Sequence, residues 1–74
     1  MFKKQKYEFA IYNEVVRQAV KRGEHHKFFK DEWQNQHFIE IEAHTEKDAT
    51  ARIRSRYPED QGFVILACKL IPSD

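Results

Sequence analysis

The last apolar run of the chain, FVILACKLI at residues 63–71, constrains the fold more than any other stretch. Apolar residues occupy both alternating positions of this run, so a strand built from it would have two apolar faces. The earlier stretch FIEIEA, at residues 38–43, alternates apolar and acidic residues as a half-solvated strand does. We therefore expect the last strand to be covered on both faces, by the chain's own helices or by a partner.

Simple alternation also assigns the residues of this last strand to two faces. It places Phe63, Ile65 and Ala67 on one face and Val64, Leu66 and Cys68 on the other. Which of these two faces points outward is not decided by the sequence.

The hydrophobic pattern predicts five elements in the order β-α-β-α-β. The strands are predicted at residues 6–12, 38–43 and 63–71, and the helices at about 14–22 and 46–56. Residues 6–12 could also be the start of a longer first helix, because periodicity alone does not separate the two alternatives.

Capping and turn residues favour the strand alternative and set the ends of both helices. Asn13 and Thr45 are N-cap residue types, and each precedes an acidic first turn. Gly23 fits the left-handed residue that closes the first helix. Pro58 stops the second helix, and Gly62 suits a positive φ in the turn that follows it.

Length and composition place this chain among small globular domains. A single domain of 74 residues buries only about 60% of the surface of its unfolded chain, so additional burial against a partner would matter. The sequence leaves open whether residues 1–5 are a disordered terminus. A net charge of +1 provides no strong field for nucleic acid or a membrane, and a lone cysteine forms no internal disulfide. With no long apolar run, we expect a soluble cytoplasmic protein that does not bind membranes.

The fold class expected is α+β, with a three-stranded sheet and both helices on one face. If right-handed crossovers join the strands, the helices share a face in sequential strand order and lie on opposite faces when strand 1 is central. Glu40 and Glu42 indicate a solvated sheet face, which favours helices on the same face. The strand order itself is left open.

An uncovered apolar sheet face is typical of an interaction surface, and a homodimer is the simplest way to cover one. We expect the domain to bind another protein or a second copy of itself. The residues predicted to contribute are Trp33, Phe38, Val64, Leu66 and Cys68.

The segment GEHHKFFKDEWQNQH, at residues 23–37, contains three of the four histidines. One alternative is a metal site in residues 24–37, in which Glu24, Asp31, Glu32 and His37 join either His25 or His26, although the spacing matches no known zinc finger. The simpler interpretation is a loop anchored to the core by Phe28 or Phe29 together with Trp33, with its histidines in water. We expect no metal ligand here.

Single-stranded RNA binding is the second alternative, through Arg52, Arg54 and Arg56 on the second helix. Exposed aromatic residues such as Phe38 could stack on bases, but the acidic residues of the same strand would repel phosphate.

No stretch matches a catalytic or phosphate-binding motif. The apolar surroundings expected for Cys68 would raise its pKa, so we expect it to pack rather than act as a nucleophile. The sequence therefore predicts no enzyme activity, no catalytic residue and no cofactor.

From residue 33 to about residue 66, W...HFIEIEAHTEKDATARIRSRYPEDQGFVI resembles small uncharacterised bacterial and phage domains. Those domains have a strand, a helix containing alanine and arginine, a Tyr-Pro stop and a Gly-Phe-Val-Ile strand in this order. The resemblance covers about half of the chain, implies no activity and carries over no functional residues.

Overall fold

The computed structural model describes residues 3–72. Its elements are β1 (Gln5–Asn13), α1 (Glu14–Lys21), a first 3₁₀ helix (Asp31–Gln34), β2 (His37–Ala43), α2 (Glu46–Arg56), a second 3₁₀ helix (Glu59–Gln61) and β3 (Phe63–Ile71). The predicted α+β class and the order β-α-β-α-β are confirmed. Residues 6–12 lie within a strand. The sequence left open whether residues 1–5 form a disordered terminus; positions 1 and 2 lie outside the described residues, and Gln5 is the first residue of β1.

The three strands form one sheet in the order β2-β1-β3, with both neighbouring pairs antiparallel. Strand β1 is therefore central. The right-handed crossover rule does not determine this strand order, because it applies to connections between parallel strands and both pairs here are antiparallel. After β1, the chain passes through α1 and the first 3₁₀ helix and then returns beside β1 as the antiparallel strand β2.

The hydrophobic core lies between one face of the sheet and α2, and we call this side the core face. Its members are Tyr7, Phe9, Ile11, Ile41, Ala43, Ala49 and Ile53, all of them buried. Helix α2 packs on β2 and β1, and α1 packs mainly on the first 3₁₀ helix. On the other side of the sheet, the outer face, the guanidinium group of Arg17 from α1 lies 3.8 Å from the centre of the Tyr12 ring.

The junction between β1 and α1 is built around a fully buried asparagine, Asn13. Its side-chain oxygen accepts a hydrogen bond of 3.0 Å from the backbone N–H of Val16, which confirms the predicted N-cap. Its amide nitrogen donates to the carbonyl of Gln61 at 3.1 Å, and the N–H of Glu14 donates to the carbonyl of Gly62 at 2.8 Å. One helix start is thus joined to the turn that precedes β3.

The remaining predicted helix signals are also observed. The hydroxyl oxygen of Thr45 accepts from the N–H of Asp48 at 3.1 Å, so Thr45 is the N-cap of α2. Gly23 follows α1 with φ of 73°, and Gly62 precedes β3 with φ of 98°. Both values lie in the region that glycine adopts without a steric penalty.

An aromatic cluster fixes the long segment between α1 and β2. The ring of Phe63, the first residue of β3, lies 5.0 Å from Phe29, 5.2 Å from Trp33 and 5.3 Å from Tyr57, measured between ring centroids. These edge-to-face contacts are the arrangement that aromatic pairs favour. Phe29 and Trp33 anchor the segment as expected, whereas Phe28 is 84% exposed.

Candidate interaction surface at strand β3

Strand β3 contains a β-bulge that changes which of its residues share a face. Ala10 of β1 is opposite Ala67, and the next residue, Ile11, is opposite Ile65, so Leu66 is an extra residue on β3. Simple alternation is therefore wrong across the strand. Phe63, Ile65, Cys68 and Leu70 lie opposite core-face residues of β1, whereas Val64, Ala67, Lys69 and Ile71 lie opposite outer-face residues.

The chain's own helices cover β3 only in part. Leu66 is 49% exposed, Leu70 is 51% exposed and Ala67 is also exposed, while Ile65 and Cys68 are only partly buried against the core. The cause is the position of the strand, because β3 forms an edge of the sheet and α2 lies over the other two strands. Both faces of this apolar strand are thus partly in contact with solvent.

The outer face has an apolar half and a charged half. In the apolar half, Phe38, Ala10 and Ala67 form one row across the three strands, and Tyr12 and Val64 form the next. Phe38 is 63% exposed. The charged half contains Glu42, Glu40, Glu8, Lys6 and Lys69. Glu40 and Glu42 are exposed on the same face as Phe38, as the alternation in β2 predicted.

The structure distributes the five predicted partner-binding residues over three places. Phe38 and Val64 lie on the outer face, and Leu66 lies at the bulge. Cys68 lies on the core face opposite Phe9, and Trp33 belongs to the aromatic cluster. The five therefore do not form one continuous surface.

Two residues that the sequence did not single out, Ala67 and Leu70, are among the most open positions of β3. Ala67 was assigned to the face of Phe63 and Ile65, and the bulge places it on the opposite one. The apolar character of the whole strand was the signal that pointed to both.

Burial raises the pKa of the Cys68 thiol to about 11, and a hydrogen bond with Glu46 and the negative charge of Glu46 act in the same direction. A raised thiol pKa leaves little thiolate at neutral pH. Cys68 packs against the core, as its apolar strand predicted.

The histidines of residues 23–37 have separate partners. The Nδ1 atom of His25 lies 2.8 Å from an oxygen of Asp31, and the ring of His37 lies 4.1 Å from that of Trp33. The Nδ1 atom of His26 accepts the backbone N–H groups of Phe28 and Phe29 at 3.1 and 3.2 Å. His25 is largely exposed, as expected for a histidine in water, whereas His26 and His37 are partly buried. Among residues 3–72, no three His, Cys, Asp or Glu side chains are arranged to hold a metal ion.

The three arginines considered for RNA binding differ in their contacts. Arg52 donates to the carbonyl of Glu42 at 2.8 Å, and Arg54 lies 3.5 Å from a carboxylate oxygen of Glu59. Arg56 is exposed at the end of α2. Two of the three guanidinium groups are thus oriented by contacts within the chain, and RNA binding stays a prediction.

Comparison of the chain with known protein families, with curated proteins and with solved structures found no match. The resemblance of residues 33–66 to small bacterial and phage domains therefore stays a prediction. Within the described residues, no helix has the length and apolar character needed to cross a membrane.

Proposed function

We propose that this domain is a protein-recognition module that binds a strand of its partner along the open edge of β3. The observation that carries the proposal is the partial exposure of this apolar strand on both of its faces. Long, exposed apolar edge strands are ready templates for pairing with another chain. Addition of a strand to such an edge is a recurrent mode of peptide recognition.

Edge addition accounts for the exposure of β3 better than a partner packed on the outer face does. A partner packed on the outer face would cover Ala67. It would leave Leu70 and Cys68 uncovered, because they lie opposite core-face residues of β1. A strand added beside β3 gains side-chain neighbours on both faces and also pairs the open backbone groups.

The two edges of the sheet differ in the features that oppose strand addition. The seven residues of β2 include the exposed acids Glu40 and Glu42, and charged side chains are a common protection of sheet edges. The nine residues of β3 include one charged residue, Lys69, which lies opposite Glu8 of the same sheet. The edge formed by β3 is therefore the better acceptor of a strand.

The experiment that tests this proposal selects random displayed peptides on the full chain and maps each selected peptide by its effect on the amide signals. We expect the largest shifts between Leu66 and Leu70, and we expect binding to be lost when both leucines are replaced by lysine. The matched control is Phe28→Lys, which removes an exposed apolar side chain elsewhere and should leave binding unchanged. Shifts centred on α2 or on residues 23–37, or equal binding by all variants, would contradict the proposal.

A further inference from the structure

We infer that the strand accepted by β3 is β3 of a second copy of this chain, paired antiparallel with Cys68 on the two-fold axis. This inference rests on the proposed function and names the partner and the register of that same edge. Three features of β3 support this register: the symmetry of such a pair, the position of the bulge and the position of the single charge on the strand.

Symmetry limits the possible registers. Two identical strands paired side by side and antiparallel are related by a two-fold axis normal to the sheet, and each residue faces its partner from the same side of the sheet. An axis at Ala67 would place Ile65, on the core face, opposite Lys69, on the outer face. The bulge therefore excludes that register, because side chains opposite one another would point to different faces.

Charge and backbone chemistry remove two further registers. An axis at Lys69 would set the two Lys69 side chains directly opposite each other, and like charges in this position are destabilising. An axis at Leu70 would place Pro72 opposite Cys68 of the second copy, and proline has no N–H to donate to the ladder.

The register centred on Cys68 has none of these conflicts. It pairs Leu66 with Leu70 of the second copy, twice, and these are the two exposed leucines of β3. It also pairs Lys69 with Ala67 of the second copy, so no like charges meet, while Glu8 remains opposite Lys69 within each sheet. The paired segment spans residues 66–70 and ends at the bulge.

The strength expected for this dimer follows from the size of the contact. Five paired residues per copy bury less surface than the roughly 1,200 Å² typical of stable complexes. We therefore expect a reversible dimer that forms in the micromolar to millimolar range of protein concentration.

The experiment measures the dimer dissociation constant of the full chain by sedimentation for the wild type, Ala67→Glu and Ala67→Lys. In the proposed register, residue 67 faces Lys69 of the second copy at two places, so glutamate forms two new opposite-charge pairs and lysine two like-charge pairs. We expect the Glu variant to bind more tightly than the wild type and the Lys variant more weakly, with about a tenfold or larger difference between them. Ala67 is exposed, and comparison of the thermal unfolding of the two variants controls for changes in folding.

A second measurement needs no substitution. Mixed labelled and unlabelled wild-type chains should give magnetisation transfer between the Leu66 methyl groups of one copy and the Leu70 methyl groups of the other. A dimer without this transfer, or equal weakening by both Ala67 variants, overturns the register. A wild type that stays monomeric at millimolar concentration overturns the second copy as partner. If selected peptides still bind β3 in that case, the proposed function stands with a different partner. If the chain neither dimerises nor binds selected peptides at β3, both the dimer and the proposed function are contradicted.

Discussion

Replacement of Gly62 by alanine is expected to lower the free energy of unfolding by about 3 kcal/mol or more, as measured by chemical denaturation. A Cβ atom at this position would lie 2.6 Å from Cγ2 of Val15 and 2.7 Å from Oδ1 of Asn13. The φ of 98° adds the strain of a left-handed conformation. Small domains unfold with about 5 to 15 kcal/mol in total, so a large part of the stability would be lost.

Gly23→Ala is the matched control for this prediction. Gly23 also has a positive φ, of 73°, but a Cβ atom there would meet nothing within 4 Å. We expect only the conformational penalty, about 1 kcal/mol. Equal effects of the two substitutions would contradict the close contact between the Gly62 turn and the start of α1.

Replacement of Phe63 by alanine is expected to lower the free energy of unfolding by about 3 to 5 kcal/mol. Phe63 is buried, and the rings of Phe29, Trp33 and Tyr57 all pack on it. Its removal would leave a cavity among three aromatic rings and would release the segment that Phe29 and Trp33 hold. The free energy can be measured by denaturation, and the release of the segment by the line widths of the Trp33 indole signal.

The control for this second prediction is Phe28→Ala, because Phe28 belongs to the same segment but is 84% exposed. A substitution of an exposed side chain is expected to change stability by no more than about 0.5 kcal/mol. If Phe28→Ala proved as destabilising as Phe63→Ala, the aromatic cluster would not be the anchor of this segment.

The helix ends could be predicted from the sequence because their determinants are local. Asn13 and Thr45 each bond to a backbone N–H three residues later, so the residue type and its place next to an amphipathic stretch were sufficient. The positive φ of Gly23 and Gly62 follows from the same kind of local signal.

The strand order and the bulge could not be predicted, because both depend on contacts between distant parts of the chain. The extra residue Leu66 has no special residue type, and only the pairing of Ala10 with Ala67 and of Ile11 with Ile65 reveals it. The two faces of β3 were consequently assigned wrongly beyond Ile65. A shift of one residue moves every later side chain to the other face.

The candidate surface was predicted as a strand but not residue by residue. Because β3 has apolar residues at both alternating positions, its apolar surface was expected to be larger than a small domain can bury. Leu66 and Leu70 are indeed half exposed. Trp33, a large aromatic residue in a long loop, could as easily bind a partner as anchor the loop. Its contacts with Phe63 and Tyr57 show that it anchors the loop, and they bring together residues that are far apart in the sequence.

Both proposals require that the edge of β3 is open in a single copy of the chain. Amide hydrogen exchange of a dilute sample tests it most directly, because backbone N–H groups that point away from β1 have no partner at an open edge. We expect alternate amides between Leu66 and Leu70 to exchange orders of magnitude faster than those of Phe9, Ala10 and Ile11 in the central strand. Protection of every β3 amide as strong as that of β1, in a sample too dilute to associate, would contradict the claim.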